Sequence, residues 1–499
     1  MQYLLLITIF VISTCGLIYE LVAGTLASYL MGDSVKQFST IIGTYLFAMG
    51  IGSFFSKFIK KDLIAKFIQI EILTGLVGGL SSALLFYFFS FGAYFQFMLY
   101  FLISITGVFV GMEIPIIMRI LNSKIEFKDL VSKVFTYDYI GALLASIIFP
   151  IILIPHLNII RTSVLFGLFN IGLAMYLTYY FKSEIKSINR IFTHGIFAGF
   201  ILLGVFVFSD DITKMSESEM YGESIIYSKN SSYQRIVLTR NHHDYCLYLN
   251  NHLQFNSKDE YRYHEALVHP VVSQAPFCKN VLILGGGDGF AARELLKYPQ
   301  IKNIQLVDLD PKLTSLFKEN TIMSKLNDYS LKNTKVKVTN ADAFEWLRNK
   351  NKKKYDVIII DFPDPSNFSV GKLYTLTFFK VLQSAMHFNT KVVMQSTSPL
   401  MAKESFWCVN NTIKETRMST VPYHTYVPSF GEWGYIIFGQ DLSDLKQRRL
   451  PNNLKYYTSE EFKNMKNFPV DMQFKSKEIN RLENQILITL FEKEWGDLF

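Results

Sequence analysis

The chain has 499 residues, of which 50% are hydrophobic and only 18% charged, against about a quarter charged in ordinary soluble proteins. That apolar content excludes disorder, collagen and coiled coil, and a count of four cysteines excludes a disulfide scaffold. The net charge of +8 divides evenly between residues 1–208 and the remainder, so neither part is a polybasic nucleic-acid binder.

The charges themselves are unevenly placed. Residues 1–208 hold 13 Lys+Arg and 9 Asp+Glu, less than half the charge density of the rest. This predicts a membrane domain over 1–209 followed by a soluble part. A bilayer-spanning helix needs about 20 mostly apolar residues. Seven such stretches are expected, at about 4–30, 38–58, 67–90, 94–121, 137–155, 160–181 and 191–208. The opening MQYLLL has no basic segment and its apolar stretch is too long for a cleaved signal peptide. Small residues inside the spans (Gly43, Gly50 and Gly52; Gly75, Gly78 and Gly79) predict close helix packing. Three acids, Glu20, Glu71 and Glu113, fall in or near the spans, and Pro115 after Glu113 predicts a kink. A carboxyl there either serves a cation or polyamine site or is hydrogen-bonded within the bundle.

Past residue 210 the pattern changes. Residues 210–265 are expected to hold a small antiparallel β unit, with alternating runs over 221–256 and a polar turn at Asn241–Asp244. Residues 266–499 alternate strand and helix: Val281–Leu284 enters Gly285-Gly286-Gly287-Asp288-Gly289, followed by AARELLKYP, IQLVDLDP, VKVTNADAFEWL, DVIIIDFPDP, KVVMQSTSP and GYIIFG. That order predicts an α/β domain with a Rossmann-like, mostly parallel sheet. Lys350–Lys354 (KNKKK), the only dense basic cluster, reads as a solvated loop. Cys15, Cys246, Cys278 and Cys408 are isolated, with no CxxC and no His at metal spacing, so neither zinc nor a redox pair is indicated.

A glycine-rich turn between strand and helix lets the backbone approach a ligand, and an acid ending the next strand grips a ribose diol. Asp308 stands there. The loop is not GxGxxG and it contains an acid, Asp288. In a loop facing the amino-acid end of S-adenosylmethionine, Asp288 would repel the carboxylate and attract the amine, favouring the decarboxylated ligand. The alternative is Asp288 as a helix cap. Asp361 and Asp364 end the apolar strand DVIII at the edge where a parallel sheet binds ligands. They would bind a diamine and take a proton from its attacking nitrogen, or else form an Asx-turn.

These segments, with LYLNNHLQFNSKDEYRYHEALVHP and TYVPSFGEWGY, resemble the polyamine aminopropyltransferases, the spermidine synthases, over about residues 221–440. The layout resembles their bacterial membrane-fused subgroup. The resemblance implies transfer of the aminopropyl group of decarboxylated S-adenosylmethionine to putrescine, giving spermidine and methylthioadenosine. It implies Asp361 as proton acceptor, with Asp364, His264, Asp288, Tyr263 and Tyr426 around the polyamine. Gln234, Gln254, Gly285, Gly286, Gly287, Asp308, Asp342 and Ala343 would hold the nucleoside. No cofactor and no metal are implied, since the sulfonium supplies its own leaving group and decarboxylated S-adenosylmethionine is a co-substrate. A homodimer or larger oligomer is implied. Asp308 stands where most members have Glu, and DPSNF with Phe368 replaces the usual DPxGP, which bears on acceptor preference. A polyamine-sensing or transporting protein with a synthase-like binding domain is the alternative.

Eleven basic residues lie in the loops between spans 2–3, 4–5 and 6–7, whereas the other loops hold only Lys36 and Arg161. The positive-inside rule makes the basic loops cytoplasmic, and seven spans then put the last domain outside. Decarboxylated S-adenosylmethionine is made in the cytoplasm, so the expectation adopted is a multi-pass cell-membrane protein with a cytoplasmic catalytic domain and one span miscounted.

Overall fold

The computed structural model describes residues 2–31, 34–89, 94–122, 126–275, 277–350, 353–442 and 450–496. Asn351 and Lys352 of the basic cluster, and Lys124 of the basic loops, lie outside them. The chain divides into two compact units, Met1–Ile225 and Ile226–Phe499.

The first unit is helical: α1 (Gln2–Met31), α2 (Ser34–Ser56), α3 (Leu63–Phe89), α4 (Phe95–Leu121), α5 (Phe127–Ile148), α6 (Ile154–Tyr180), α7 (Ile188–Val207) and α8 (Ser209–Tyr221). By length and composition, six helical stretches among the described residues are long and apolar enough to cross a membrane. The difference from the expected seven lies in Lys128–Tyr180, one stretch of 53 residues in which a π segment, Phe149–Leu153, joins α5 to α6. At about 1.5 Å per residue it is far too long for one crossing, and its backbone breaks at Asn158 (φ 62°, ψ 176°). Pro115 does not end α4, which runs through it as one helix to Leu121.

Close approach explains the small residues. A Cβ on Gly52 would stand 2.0 Å from the Val108 carbonyl oxygen and one on Gly111 would stand 2.1 Å from that of Met49, so α2 and α4 touch backbone to backbone. Gly75 and Gly167 do the same for α3 and α6, while Gly43 and Gly50 meet nothing within 4 Å. The helical unit extends past residue 209, because polar α8 follows α7 after Phe208 and Arg161 holds its start through Ser209 Oγ (2.9 Å) and Asp210 Oδ2 (2.8 Å).

The second unit begins with an antiparallel sheet in the order β1 (Ser224–Asn230), β2 (Arg235–Asn241), β3 (Asp244–Leu249), β4 (His252–Asn256). Helix α9 (Glu260–Gln274) leads to β5 (Asn280–Gly285), α10 (Phe290–Leu296), β6 (Asn303–Asp308), β7 (Val336–Asn340), β8 (Tyr355–Asp361), β9 (Met386–Gln395), β10 (Ser419–Val427) and β11 (Gly431–Gly439). These strands form one sheet in the order β10-β11-β9-β8-β5-β6-β7. Strands β5 to β9 are parallel, and β11 and β10 extend the sheet antiparallel. Val281, Ile283, Val357 and Ile359 face one core, and Leu282, Leu284, Ile358 and Ile360 the other. Burial on both faces is why β5 and β8 read as unbroken apolar runs. The strand order reverses direction at β5, with β6 on one side and β8 on the other, which opens a crevice at their C-terminal ends.

Candidate active site

The crevice is built on one register pair, Gly285 opposite Asp361. Gly285 has φ +83°, and a Cβ there would stand 2.1 Å from the Asp361 carbonyl oxygen, so only glycine lets β5 turn into the loop beside β8. At Gly287 a Cβ would stand 2.7 Å from the Asp308 carboxyl. That carboxyl, 8% exposed, accepts the Gly287 N–H at 3.0 Å and the Asp310 N–H at 2.9 Å. Asp308 therefore ties the glycine loop to the end of β6. Burial pushes its carboxyl up to about 7.

Asp361 ends β8 with Oδ1 accepting the Tyr263 hydroxyl of α9 at 2.7 Å. The next residue of α9, His264, is 2% exposed, and its Nδ1 meets the Glu260 carbonyl (2.8 Å) and carboxylate (3.0 Å) one turn earlier. Burial alone would lower this imidazole, but Glu260, with Asp288 and Asp361 behind it, raises it to about 9. Arg293 of α10 grips both Glu260 oxygens at 2.9 Å. The chain thus holds a cationic imidazole facing two acids, Asp288 and Asp361. Burial raises Asp288 to about 6, with Asp361 adding to the shift and His264 opposing it. It raises Asp361 as well, against His264 and the Tyr263 hydroxyl.

Asp288 Oδ1 also accepts the Phe290 N–H at 3.0 Å, and its carbonyl accepts Asn327 Nδ2 at 2.7 Å. The Phe290 contact is an Asx-type turn bond and not the helix cap expected as an alternative, because the N-cap of α10 is Gly289. Asp364 sits past β8 with Oδ2 accepting the Thr397 hydroxyl (3.3 Å) and Oδ1 without a hydrogen bond among the described residues, and burial lifts it to about 7 against Gln395 and Thr397.

The expected residues gather to different degrees. Tyr263, His264, Asp288, Asp361, Gly285, Gly286, Gly287 and Asp308 form one continuous set through the contacts above. Gln234 joins it indirectly, its amide donating to Asp310 Oδ2 at 3.0 Å. Asp342 caps the turn that buries Ala343, and it pairs with Lys372 at 2.6 Å, which lowers its carboxyl. The Gln254 amide turns back to the His252 carbonyl at 3.1 Å, and Tyr426 is 52% exposed, its carbonyl holding Arg262. Phe368, flagged by its departure from the DPxGP pattern, is 46% exposed.

Several supports were not anticipated. Tyr374 donates to the Pro363 carbonyl at 2.9 Å and accepts from Gln395 at 3.0 Å, bracing the loop that holds Asp364. Glu260 and Arg293 are the other two. The four-residue spacing from Glu260 to His264 within a helix was the available signal.

This arrangement sets three carboxyls and one imidazolium at the mouth of a parallel sheet. It can bind a ligand with separated cationic amines and accept a proton from one of them. Comparison with known proteins agrees in kind. The spermine/spermidine synthase domain family matches residues 260–446. A polyamine aminopropyltransferase of Leptospira interrogans is 49% identical over 496 residues, covering 99% of both chains. Polyamine aminopropyltransferase 2 of Ralstonia nicotianae is 46% identical over 504 residues, covering 99% of this chain and 98% of its own. A spermidine synthase solved with the transition-state analogue AdoDATO is 25% identical, covering 55% of this chain and 88% of that one with a TM-score of 0.46.

Proposed function

The chain belongs to the polyamine aminopropyltransferase family, and from that premise we propose that its donor is decarboxylated S-adenosylmethionine and its acceptor putrescine. The attacking amine nitrogen forms a bond to the methylene beside the sulfonium, the carbon–sulfur bond breaks, and methylthioadenosine leaves neutral. The amine proton goes to Asp361. Spermidine is the other product. Alignment for in-line attack supplies most of the rate, with reacting atoms held about 3–3.5 Å apart.

The supporting observation is the Asp361 carboxylate, bonded to Tyr263 at 2.7 Å beside Asp288 and the His264 imidazolium. In this reading Asp288 takes the donor's amine, and Asp364 takes the far ammonium of the diamine on Oδ1. Asp308 and Gln234 line the ribose side, and Asp342 with Ala343 the adenine side. The helical unit lies in the cell membrane with an even number of crossings, so that one of α1 to α7 does not cross, and the second unit works on the cytoplasmic face, where the donor is made.

The test is to incubate the full-length protein with decarboxylated S-adenosylmethionine and a panel of diamines and longer polyamines, and to identify products by mass spectrometry. Spermidine from putrescine, with equimolar methylthioadenosine, is expected. Preferred growth of a longer polyamine would overturn the acceptor assignment.

A further inference from the structure

The helical unit contains a set of buried polar groups that its own hydrogen bonds do not account for. Glu71 of α3 and Glu113 of α4 are 0% and 1% exposed, and their carboxyls stand close enough to hydrogen-bond each other. Glu113 also accepts the Thr74 hydroxyl at 2.8 Å. Apart from the facing carboxyl, both Glu71 oxygens have no partner among the described residues. The same holds for the Tyr19 hydroxyl, the Ser82 hydroxyl and both amide atoms of Asn170, all buried.

These orphans converge. Glu71, Thr74, Gly78 and Ser82 follow one another at three- and four-residue steps, with Gly75 four residues after Glu71, along one face of α3. The Tyr19 ring lies 2.8 Å from where a Gly78 Cβ would stand, and the Asn170 Cβ 3.0 Å from where a Gly75 Cβ would stand. Tyr19 of α1 and Asn170 of α6 therefore pack on that face within two turns of Glu71. The other titratable groups whose fields reach the pair are Cys15 and Tyr19 of α1 and Tyr45 of α2, none of them a cation. The nearest bases in sequence are engaged elsewhere: Lys66 with Gln69, and Arg119 with the Ser56 and Ile59 carbonyls.

Two touching carboxyls with no cation beside them cannot both be ionised, so they keep one proton between them. Buried orphaned groups are met by ordered water where there is room. A cavity of about 10 Å³ beside Tyr19, lined half by Ala23, Leu85, Leu102 and Ile103 and by neither glutamate, has space for about one water and none for a diamine. We propose that Glu71 and Glu113 form a proton-binding site inside the helical unit, sharing one proton between them.

Infrared difference spectroscopy on the full-length protein in lipid vesicles, stepped in pH, reads the protonated carboxyl directly. A protonated-carboxyl band persisting above about pH 6, where exposed acids are ionised, is expected. It should disappear in Glu71→Gln/Glu113→Gln and shift in Thr74→Val, which removes the hydroxyl that Glu113 accepts. Helical content of each variant in the vesicles, by circular dichroism, checks that the helical unit is folded. Sodium or spermidine at constant pH should leave the band in place. Its absence in the wild type, its persistence in the double variant, or its displacement by sodium or spermidine would each overturn the proposal, the last in favour of a cation or amine site.

Discussion

Asp361→Asn keeps the side-chain shape and the Tyr263 contact but cannot take the amine proton. General-base roles are worth roughly 10²–10⁴-fold, so kcat should fall in that range while donor affinity by calorimetry is kept. Asp288→Asn removes the charge that would oppose a donor carboxylate. Calorimetry should show the preference for decarboxylated over intact S-adenosylmethionine shrinking, and an unchanged ratio would leave Asp288 with only its turn bond to the Phe290 N–H. Acidity gives a third expectation. Asp288 near 6, Asp364 near 7 and Asp361 raised are each neutral below those values and charged above. The working forms are charged, so kcat/KM should fall as pH drops through about 7 toward 6. His264, at about 9, stays cationic across that window. At this scale the acids were legible because Asp288, Asp361 and Asp364 sit at strand ends and in a loop where little but ligand chemistry calls for them. The Asp342–Lys372 pair was not, since its partners are separated by 30 residues and no local pattern links them.

Helix α10 has seven residues, too short to be stable on its local propensity. It is held by charge: His269 of α9 meets Glu294 at 2.9 Å, and Arg293 and Lys297 meet the same carboxylate at 3.0 and 2.6 Å. Glu294 is therefore held below the ordinary carboxylate range, by His269 and Arg293 against burial. A depressed acid contributes stability above its unfolded value, near 4.3, and loses it as pH falls through its folded one. Glu294→Gln should destabilise the second unit by roughly 3–5 kcal/mol at pH 7 and progressively less as pH falls below about 4, as read by thermal melting. A melting temperature unchanged at pH 7 would contradict it. The strands of this unit were legible because doubly covered parallel strands are apolar throughout. The break at Asn158 falls in the gap expected between the spans 137–155 and 160–181, where Pro155, His156 and Asn158 interrupt the apolar run.

At the scale of the whole molecule, the division at Ile225/Ile226 leaves every site residue in the second unit. Residues 226–499 alone should fold and release methylthioadenosine. Sidedness rests on where the donor is made, because the loop charges would put the second unit outside if all seven helices crossed. The four native cysteines are buried, so Lys414→Cys supplies the exposed thiol, and an impermeant maleimide should label it only after lysis. Labelling in intact cells would put the second unit outside. The central claim is that Asp361 takes the proton during aminopropyl transfer from a decarboxylated donor. Single-turnover release of methylthioadenosine by the full-length protein, wild type and Asp361→Asn side by side with saturating putrescine, tests it most directly. The account predicts rapid release by the wild type, none from intact S-adenosylmethionine, and a rate at least a hundredfold lower in the variant, in line with a general-base role. A variant within about threefold of the wild type, well short of that range, would contradict it.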